Sequence, residues 1–293
     1  SSINFFMIIW LASYPKSGNT WLRTILGQLL FSEDKKESEV FKNLDLITSY
    51  PQKKHFKNIS EKLTHSKFKD QEEVIKNWVT SQDIINLDNK IKFFKTHNFA
   101  CKRYNEVDKK SYSFTDLNNT SGVIYIVRDP RSVITSLKYH FSLKGYDEAF
   151  KMMGNTHMWL GDEDEDAVPQ ALSSWDMHYE SWSRFPKNFL LIRYEDLLNN
   201  NKNEIKKIIK YLNKFFDIKE NDELINTVVK NTNFSNLKKQ EDEQGFKESI
   251  LDENTNKKKN FFHLGPDNKW IKLLDKETIN KIEEKFGPTM KKL

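Results

Sequence analysis

Apolar runs separated by polar stretches predict four short buried strands along this chain. They cover Ile8 to Ser13, Ile91 to Lys95, Gly122 to Val127 and Asn188 to Arg193. Each run is rich in β-branched, aromatic or other apolar residues and is bounded by turn signals or helical patterns. This alternation predicts the α/β class, as a single domain whose central parallel sheet is flanked by helices.

The helices are predicted from apolar residues that recur at intervals of three and four. One such pattern follows the first strand as far as Leu30, and another runs from Val133 to Leu137 after the third strand. A further helix follows the last strand and presents one apolar face. That face consists of Ile205, Ile208, Ile209, Leu212 and Phe215.

Three polar and less regular segments are interpreted as insertions or lids within one domain of residues 1–293. They are residues 33–89, with a helical pattern near 72–83, residues 144–171 and residues 238–260. The last segment is highly charged, and we expect it to be a mobile lid over the ligand. Residues 1–6 precede Met7, a candidate natural start, and are interpreted as added sequence or an upstream extension.

The overall composition limits the classes of partner. The formal net charge is +5 over 293 residues, and the basic residues are spread along the chain. We therefore expect no nucleic-acid partner, because nucleic-acid binding needs a concentrated basic surface. The single cysteine, Cys101, allows no intrachain disulfide, which favours the cytoplasm. The apolar run at Ile8 is too short to span a bilayer, so no membrane association is expected.

The most informative segment is the loop between the first strand and its helix, which reads Tyr14-Pro15-Lys16-Ser17-Gly18-Asn19-Thr20-Trp21. A helix that begins there presents unpaired N–H groups and a positive dipole end to an anion. Gly18 lets the backbone approach a phosphate, and Lys16 with the Ser17 and Thr20 hydroxyls completes the cradle. A Walker A loop instead places its lysine after the glycine and beside the residue that binds magnesium. The loop therefore predicts a phosphate site that differs from the usual ATP site, in a domain that is P-loop-like.

Further candidate site residues lie at the ends of the other predicted strands. Lys95 and His97 follow the second strand, Arg128 follows the third and Tyr194 follows the fourth. Ligands of open α/β sheets bind at the carboxyl ends of the strands. The placement of these residues predicts one common site.

Five segments, taken in chain order, resemble the signatures of the cytosolic-type sulfotransferases, in a bacterial-like form. These enzymes transfer a sulfuryl group from 3′-phosphoadenosine 5′-phosphosulfate (PAPS) to a hydroxyl or amine. The phosphate loop resembles Y-P-K-S-G-T-T-W, with Asn19 in place of a threonine. Lys95-Thr96-His97 resembles K-T-H, and the segment from Arg128 to Ser136 resembles R-[DN]-P-[KR]-x-V-x-x-S. Tyr194-Glu195-Asp196 resembles Y-E-D, and the segment from Thr232 to Lys238 resembles T-S-F-x-x-M-K.

The resemblance implies a role for each matching residue. His97 is implied as the general base, and Lys16, Lys95 and Ser136 as further catalytic residues. The implied PAPS-binding residues are Lys16, Ser17, Gly18, Asn19, Thr20, Trp21, Arg128, Ser136, Tyr194, Thr232, Phe234 and Gly265. Among them, Arg128 and Ser136 are implied to hold the 3′-phosphate, and Tyr194, Thr232 and Phe234 the adenine. Trp21 and Phe234 are equally compatible with ordinary core packing.

The last signature departs from the family. Where the family has R-K-G-x-x-G-D-W, this chain retains Gly265 and Trp270 but has His263-Leu264 in place of the Arg-Lys pair. Two cations expected at the 3′-phosphate are therefore replaced, and we expect either weaker PAPS binding or a different closure of this loop. Compensation by the lysines from Lys257 to Lys259 stays open at this point.

The sequence as a whole predicts a PAPS-dependent sulfotransferase that acts on a small-molecule acceptor, releases adenosine 3′,5′-bisphosphate (PAP) and uses no metal. A P-loop kinase and a non-catalytic nucleotide-binding module are the alternatives. His140 and His178 are competing candidates for the base.

The acidic run 162–166 is either an acceptor-attracting loop or a solvated one. Four aromatic residues either line an acceptor pocket or pack a helix face; they are Trp159, Trp175, Tyr179 and Trp182. The identity of the acceptor and the oligomeric state are not predicted.

Overall fold

The computed structural model describes residues 7–33, 35, 40–63, 71–106, 108–161, 168–249 and 258–293. The segment 1–6, the acidic run 162–166 and residues 250–257 of the predicted lid lie outside these ranges. Across the described ranges, no helix has both the length and the hydrophobicity needed to cross a bilayer.

The described residues form nine strands, five of which make the central parallel sheet in the order β2–β3–β1–β6–β9. The strands are β1 (Ile8–Ala12), β2 (Thr48–Ser49), β3 (Lys92–Thr96), β4 (Lys102–Asn105), β5 (Lys110–Ser113), β6 (Thr120–Val127), β7 (Trp159–Leu160), β8 (Gln170–Ala171) and β9 (Phe189–Arg193). β1 is fully buried and pairs in parallel with β3 and β6, so that Ala12 lies opposite Thr96 and Tyr125. The predicted α/β class with a central parallel sheet is confirmed.

Eleven α-helices are present in the described ranges. They are α1 (Asn19–Leu30), α2 (Gln71–Ile85), α3 (Pro130–His140), α4 (Tyr146–Gly154), α5 (Trp175–Ser183), α6 (Tyr194–Asn199), α7 (Asn201–Leu212), α8 (Asp222–Thr232), α9 (Phe234–Gln244), α10 (Trp270–Leu273) and α11 (Lys276–Met290). The predicted helices after β1, β6 and β9 are all present. Phe215 follows the end of α7 rather than extending its apolar face, which corrects that part of the prediction.

The chain divides into two compact units. The first contains Ser1–Tyr14, Ile47–Tyr125 and Gly154–Leu191. Its core is aromatic and centres on Trp10, which is fully buried. The ring centroid of Trp10 lies 5.3 Å from that of Tyr50 and 5.1 Å from that of Phe114. The Trp10 indole N–H donates to Thr120 Oγ1 at 2.9 Å, so its polar atom is satisfied inside the core.

The second unit contains Pro15–Leu46, Ile126–Met153 and Ile192–Leu293. It includes the predicted phosphate loop, the helix α1 and all helices from α7 onward. Of the predicted lid, residues 238–244 are the second half of α9, so this part is a regular helix rather than a loop.

Two details correct the predicted insertions and strand ends. The insertion 33–89 contributes the edge strand β2 to the central sheet, and two residues are too few to form a recognisable pattern. The predicted strand Ile91 to Lys95 is shifted by one residue, since β3 covers Lys92–Thr96 and Lys95 lies next to its last residue. His97 is the first residue beyond it.

Candidate functional site

The loop before α1 adopts a conformation that only glycine accommodates at its centre. Gly18 has a φ of 101°, and a Cβ atom there would lie 2.7 Å from Cδ2 of Tyr194. The hydroxyl of the preceding Ser17 is buried and has no hydrogen-bond partner among the described residues. A buried hydroxyl without a partner beside a helix N-terminus is the environment expected of an anion-binding loop.

Thr20 is engaged by a carboxylate. Its hydroxyl donates to Glu248 Oε2 at 3.0 Å and accepts from the Arg23 guanidinium at 3.2 Å. Arg23 is buried and forms an ion pair with Glu248. An acidic side chain of the chain itself therefore uses the Thr20 hydroxyl that the sequence predicts for a phosphate.

Lys16 lies among residues that sequence analysis did not connect with it. Its Nζ atom is 3.4 Å from Nδ1 of His140 and 4.1 Å from the ring centroid of Phe261. Its main-chain oxygen accepts from the guanidinium of Arg128 at 3.3 Å. Two predicted phosphate ligands, Lys16 and Arg128, are thus in direct contact.

Arg128 is buried and its guanidinium lies over the ring of Tyr194, 4.0 Å from the centroid. The edge of this tyrosine meets Trp21 at a centroid distance of 5.4 Å and an interplanar angle of 71°. Burial raises the pKa of the Tyr194 phenol, and the nearby Arg128 charge partly offsets that increase. Arg128 Nε is buried without a hydrogen-bond partner in the described part of the chain. The structure therefore brings Trp21, Arg128 and Tyr194 into one cluster.

At the start of α3 the Asp129 side chain accepts from the main-chain N–H of Arg131, and Pro130 occupies the first helical position. The side chain of Arg131 is also held in place. It forms ion pairs with Asp129 and Glu283 and lies 3.9 Å from the ring centroid of Trp270. Ser136 is half-buried on the same helix.

A second glycine is required next to Phe234. Gly265 has a φ of 51°, and a Cβ atom there would lie 2.2 Å from the Phe234 ring. Phe234 and Trp21 pack against the same apolar cluster, formed by Val40, Leu44, Leu237, Phe246 and Phe262. Thr232 is buried, and its hydroxyl donates to the main-chain oxygen of Val228 inside α8 at 2.8 Å.

The segment that departs from the family supplies no direct substitute for its two cations. His263 stacks on Tyr139 with ring centroids 3.9 Å apart and an interplanar angle of 3°. Burial, together with the charge of Lys238, lowers the pKa of His263 below its usual value, so this imidazole is neutral at pH 7. Lys259 donates to the main-chain oxygen of Tyr139 at 3.0 Å and to Ser142 Oγ at 2.7 Å. Lys257 lies outside the described residues.

In the first unit, His97 is held through both its ring and its main chain. Its Nδ1 atom is 2.7 Å from the main-chain oxygen of Ser13, and its N–H donates to Gln170 Oε1 at 2.9 Å. Its carbonyl oxygen accepts from Nε2 of His178 at 3.0 Å. Lys95 is half-buried in β3 of the same unit.

His178, a competing candidate for the base, is fully buried in α5. Its Nδ1 accepts a hydrogen bond from the Tyr125 hydroxyl at 2.8 Å. Burial lowers the pKa of His178 to about 3, so the ring is neutral and both its nitrogens are used in fixed hydrogen bonds. These contacts favour a role for His178 in holding the main chain of His97 rather than in accepting a proton.

Of the four aromatic residues considered for an acceptor pocket, three belong to α5 and have buried side chains. Trp175 and Trp182 are fully buried and Tyr179 is nearly so, as expected of a packed helix face. Trp159 is half-buried in β7.

A family model for the sulfotransferase domain matches residues 8–293. The chain belongs to the sulfotransferase family.

This sulfotransferase is similar to several mammalian ones. It is 28% identical to Sulfotransferase 1B1 of Mus musculus over 232 residues, which cover 78% of this chain and 65% of the relative. It is 30% identical to Sulfotransferase 2A1 of Homo sapiens over 125 residues, which cover 40% of this chain and 38% of the relative. The aligned parts thus span less than two thirds of these relatives.

Solved structures show the same fold. A crystal structure of mouse sulfotransferase SULT7A1 complexed with PAP matches with a TM-score of 0.58 and 17% identity, over 97% of this sulfotransferase and 84% of that chain. Retinol dehydratase in complex with androsterone and the inactive cofactor PAP matches with a TM-score of 0.57 and 15% identity, over 97% and 80% of the two chains.

Several contacts of the candidate residues were missed from the sequence of this sulfotransferase. Glu248 lies in the charged segment 238–260 that was interpreted as a lid, and Phe261 directly follows that segment. No local pattern links either residue to the loop before α1. Ser13 was identified only as the end of a strand. The position of Ser13 at the carboxyl end of β1, beside the end of β3, was the available signal for its contact with His97.

Proposed function

We propose that this sulfotransferase transfers the sulfuryl group of PAPS to a hydroxyl or amine of a small-molecule acceptor and releases PAP. The observation that carries the proposal is a set of buried polar atoms around the start of α1 without partners in the described residues. They are Ser17 Oγ, Trp21 Nε1 and Arg128 Nε. Buried donors of this kind require acceptors, which the anionic groups of a nucleotide supply.

The residues of the second unit fit such a nucleotide. The glycine-centred loop and the positive end of α1 suit the 5′ end, with Lys16, Ser17, Asn19 and Thr20 as proposed ligands. Arg128 and Ser136 are proposed for the 3′-phosphate. Three aromatic rings suit the adenine, because ring faces stack on bases; they belong to Trp21, Tyr194 and Phe234.

His97 is proposed as the general base. Because its Nδ1–H donates to the Ser13 carbonyl, the neutral ring carries its lone pair on Nε2, the atom proposed to take the acceptor proton. PAPS, when bound, supplies the sulfuryl group and a stable leaving group. Lys16 and Lys95 are proposed to stabilise the negative charge that develops during transfer, and Ser136 to orient Lys16.

The test is release of PAP from PAPS with a mixed library of phenols, alcohols and amines, together with titration of PAP and of ATP with Mg²⁺. Acceptor-dependent PAP release supports the proposal. Tight ATP–Mg²⁺ binding with phosphoryl transfer would identify a kinase instead. PAP binding without release for any acceptor would identify a non-catalytic module, which the neutral His263 segment favours as the second candidate.

The remaining expectations stay predictions from the sequence. They concern a cytoplasmic location, the lack of nucleic-acid and membrane partners, a metal-free reaction and the extent of the single domain.

A further inference from the structure

The first unit contains a cavity of about 400 Å³ that includes none of the residues proposed to bind PAPS. Its walls come from the first turns of α2, from β4 and from the start of β7. Ile75 and Trp159 supply apolar surface, and Glu72, Arg103 and His157 supply polar groups.

Arg103 is the unusual member of this wall. Two of its nitrogens, Nε and Nη2, are buried and have no hydrogen-bond partner among the residues that the structure describes. Its guanidinium lies 5.1 Å from the ring centroid of Phe99 and 5.9 Å from that of Trp159. Contact with ring faces restrains the guanidinium plane but does not use the in-plane N–H groups, which are directed toward acceptors.

The neighbours of Arg103 do not neutralise it. Glu72 bonds through Oε2 to the amide of Asn105 at 3.4 Å, and no ion pair within the described ranges involves Arg103. Burial raises the pKa of the adjacent Cys101 thiol to about 12, and the charge of Arg103 and a side-chain hydrogen bond between the two residues offset only part of that increase. The thiol is therefore neutral at physiological pH and supplies no counter-charge. A partly buried guanidinium without a counter-charge is stabilised when an oxyanion enters the cavity.

The antiparallel strands β7 and β8 contact both this cavity and the segment that contains His97. Gln170 and Ala171 of β8 accept hydrogen bonds from the main chain of His97 and Phe99, each at 2.9 Å. In this strand pair Ala171 lies opposite Trp159, which forms part of the cavity wall. The cavity therefore adjoins the segment that carries the proposed base.

We propose that Arg103 is the anion-recognising residue of an acceptor subsite, and that the acceptors of this enzyme carry a carboxylate beside an apolar or aromatic body. The carboxylate bonds to the guanidinium fork, and the body packs on Ile75 and Trp159. This inference rests on the proposed sulfuryl transfer.

The experiment uses a panel of hydroxy-substituted aryl and alkyl carboxylic acids, each paired with its neutral primary amide. Binding to the full chain is measured by ligand-observed NMR, and turnover by PAP release. At least one acid is expected to bind and react better than its amide by roughly tenfold, the effect of one charge-assisted hydrogen-bonded pair. If every acid binds no better than its amide, the inference is overturned.

Variants of Arg103 test whether this residue causes the preference for acids over amides. Arg103→Gln is expected to bring the acid-to-amide ratio close to one, and Arg103→Lys to retain part of it, since the charge remains and the fork is lost. Lys102→Gln, exposed on the opposite face of β4, is the matched control and should leave the ratio unchanged. PAP affinity serves as the check on folding. An acid preference that survives in folded Arg103→Gln would contradict the assignment.

The two proposals fail in different ways. Acid-selective binding without any PAP release would refute sulfuryl transfer and leave the subsite standing. PAP release at equal rates with acids and amides would support sulfuryl transfer and refute the Arg103 subsite.

Discussion

The Nδ1 atom of His97 lies 2.7 Å from the main-chain oxygen of Ser13 and 3.4 Å from its hydroxyl. The shorter contact is to the main chain, so the hydrogen bond that sets the tautomer of the imidazole does not depend on the side chain of Ser13. The proton occupies Nδ1, and Nε2 carries the lone pair.

His97→Ala is therefore expected to lower kcat by roughly a hundredfold or more, the usual contribution of a general base. Its PAP affinity should stay within about threefold of the wild type, because no proposed nucleotide ligand is altered. Ser13→Ala retains the carbonyl and should keep most of the turnover. Substantial turnover in His97→Ala would show that another group takes the proton.

Arg128 is expected to determine affinity for the 3′-phosphate. Arg128→Gln should weaken PAP binding by roughly ten- to a hundredfold, as expected for loss of a charged hydrogen-bonding fork. Adenosine 5′-monophosphate lacks the 3′-phosphate, so its affinity should change much less. Calorimetric titration of both nucleotides measures the difference. Equal losses for the two would assign Arg128 to the shape of the loop, through its contact with the Lys16 main chain.

Gly18→Ala is expected to destabilise the protein by at least about 1–2 kcal/mol, the cost of a left-handed conformation for a residue with a Cβ atom. The clash with Tyr194 adds to this cost and should also reduce PAP binding. Gly145→Ala is the matched control, since a Cβ atom there meets nothing within 4 Å among the described residues. Thermal unfolding and PAP titration of both variants test the prediction. Similar behaviour of the two variants would count against it.

Glu248 accepts a hydrogen bond from the Thr20 hydroxyl, which is proposed to bind an anion of the nucleotide. Glu248→Gln is expected to raise PAP affinity severalfold, because it removes a negative charge from the loop. Glu243→Gln, at an exposed position whose carboxylate pairs with Lys239 at 3.9 Å, is the control and should have little effect. A weaker affinity in Glu248→Gln would instead indicate that the ion pair with Arg23 maintains the binding conformation.

His178 should make stability depend on pH. Its folded pKa of about 3 lies below the ordinary value of 6.5, so the folded protein favours the neutral ring. The contribution to stability is complete above pH 6.5 and is lost as the pH falls toward 3, at no more than about 1.4 kcal/mol per pH unit. Denaturant unfolding between pH 7 and 4 should show a shallower slope in His178→Gln. An unchanged slope would mean that the ring is already protonated in the folded state.

The parts of the fold that were predictable from the sequence depend on local patterns. The strand β1, the phosphate loop and α1 are contiguous, and their hydrophobic periodicity identifies them without reference to distant residues. The contact between Thr20 and Glu248 joins residues 228 positions apart and has no such signature. The same applies to the stacking of His263 on Tyr139, which depends on the path of the chain between α9 and α10.

Residue type alone does not reveal the environment of two further side chains. Arg131 carries a charge in the first turn of a helix, where side chains are usually hydrated, yet it contacts the aromatic face of Trp270 and two carboxylates. His178 was a candidate base because histidine titrates near neutrality. Its burial in the folded unit, which lowers the pKa of the ring, is not visible in the sequence.

Hydrogen bonds with Ser13, Gln170 and His178, which lie in separate elements of the fold, help to hold His97. A base positioned by the folded scaffold loses its rotational freedom when the protein folds rather than when an acceptor binds. With His97 as the proposed base, we therefore expect the activation entropy of transfer to be less negative than it would be for a mobile histidine. A substitution that loosens any of the three supports should make the rate fall mainly through this entropy, visible as a changed intercept of the Eyring plot.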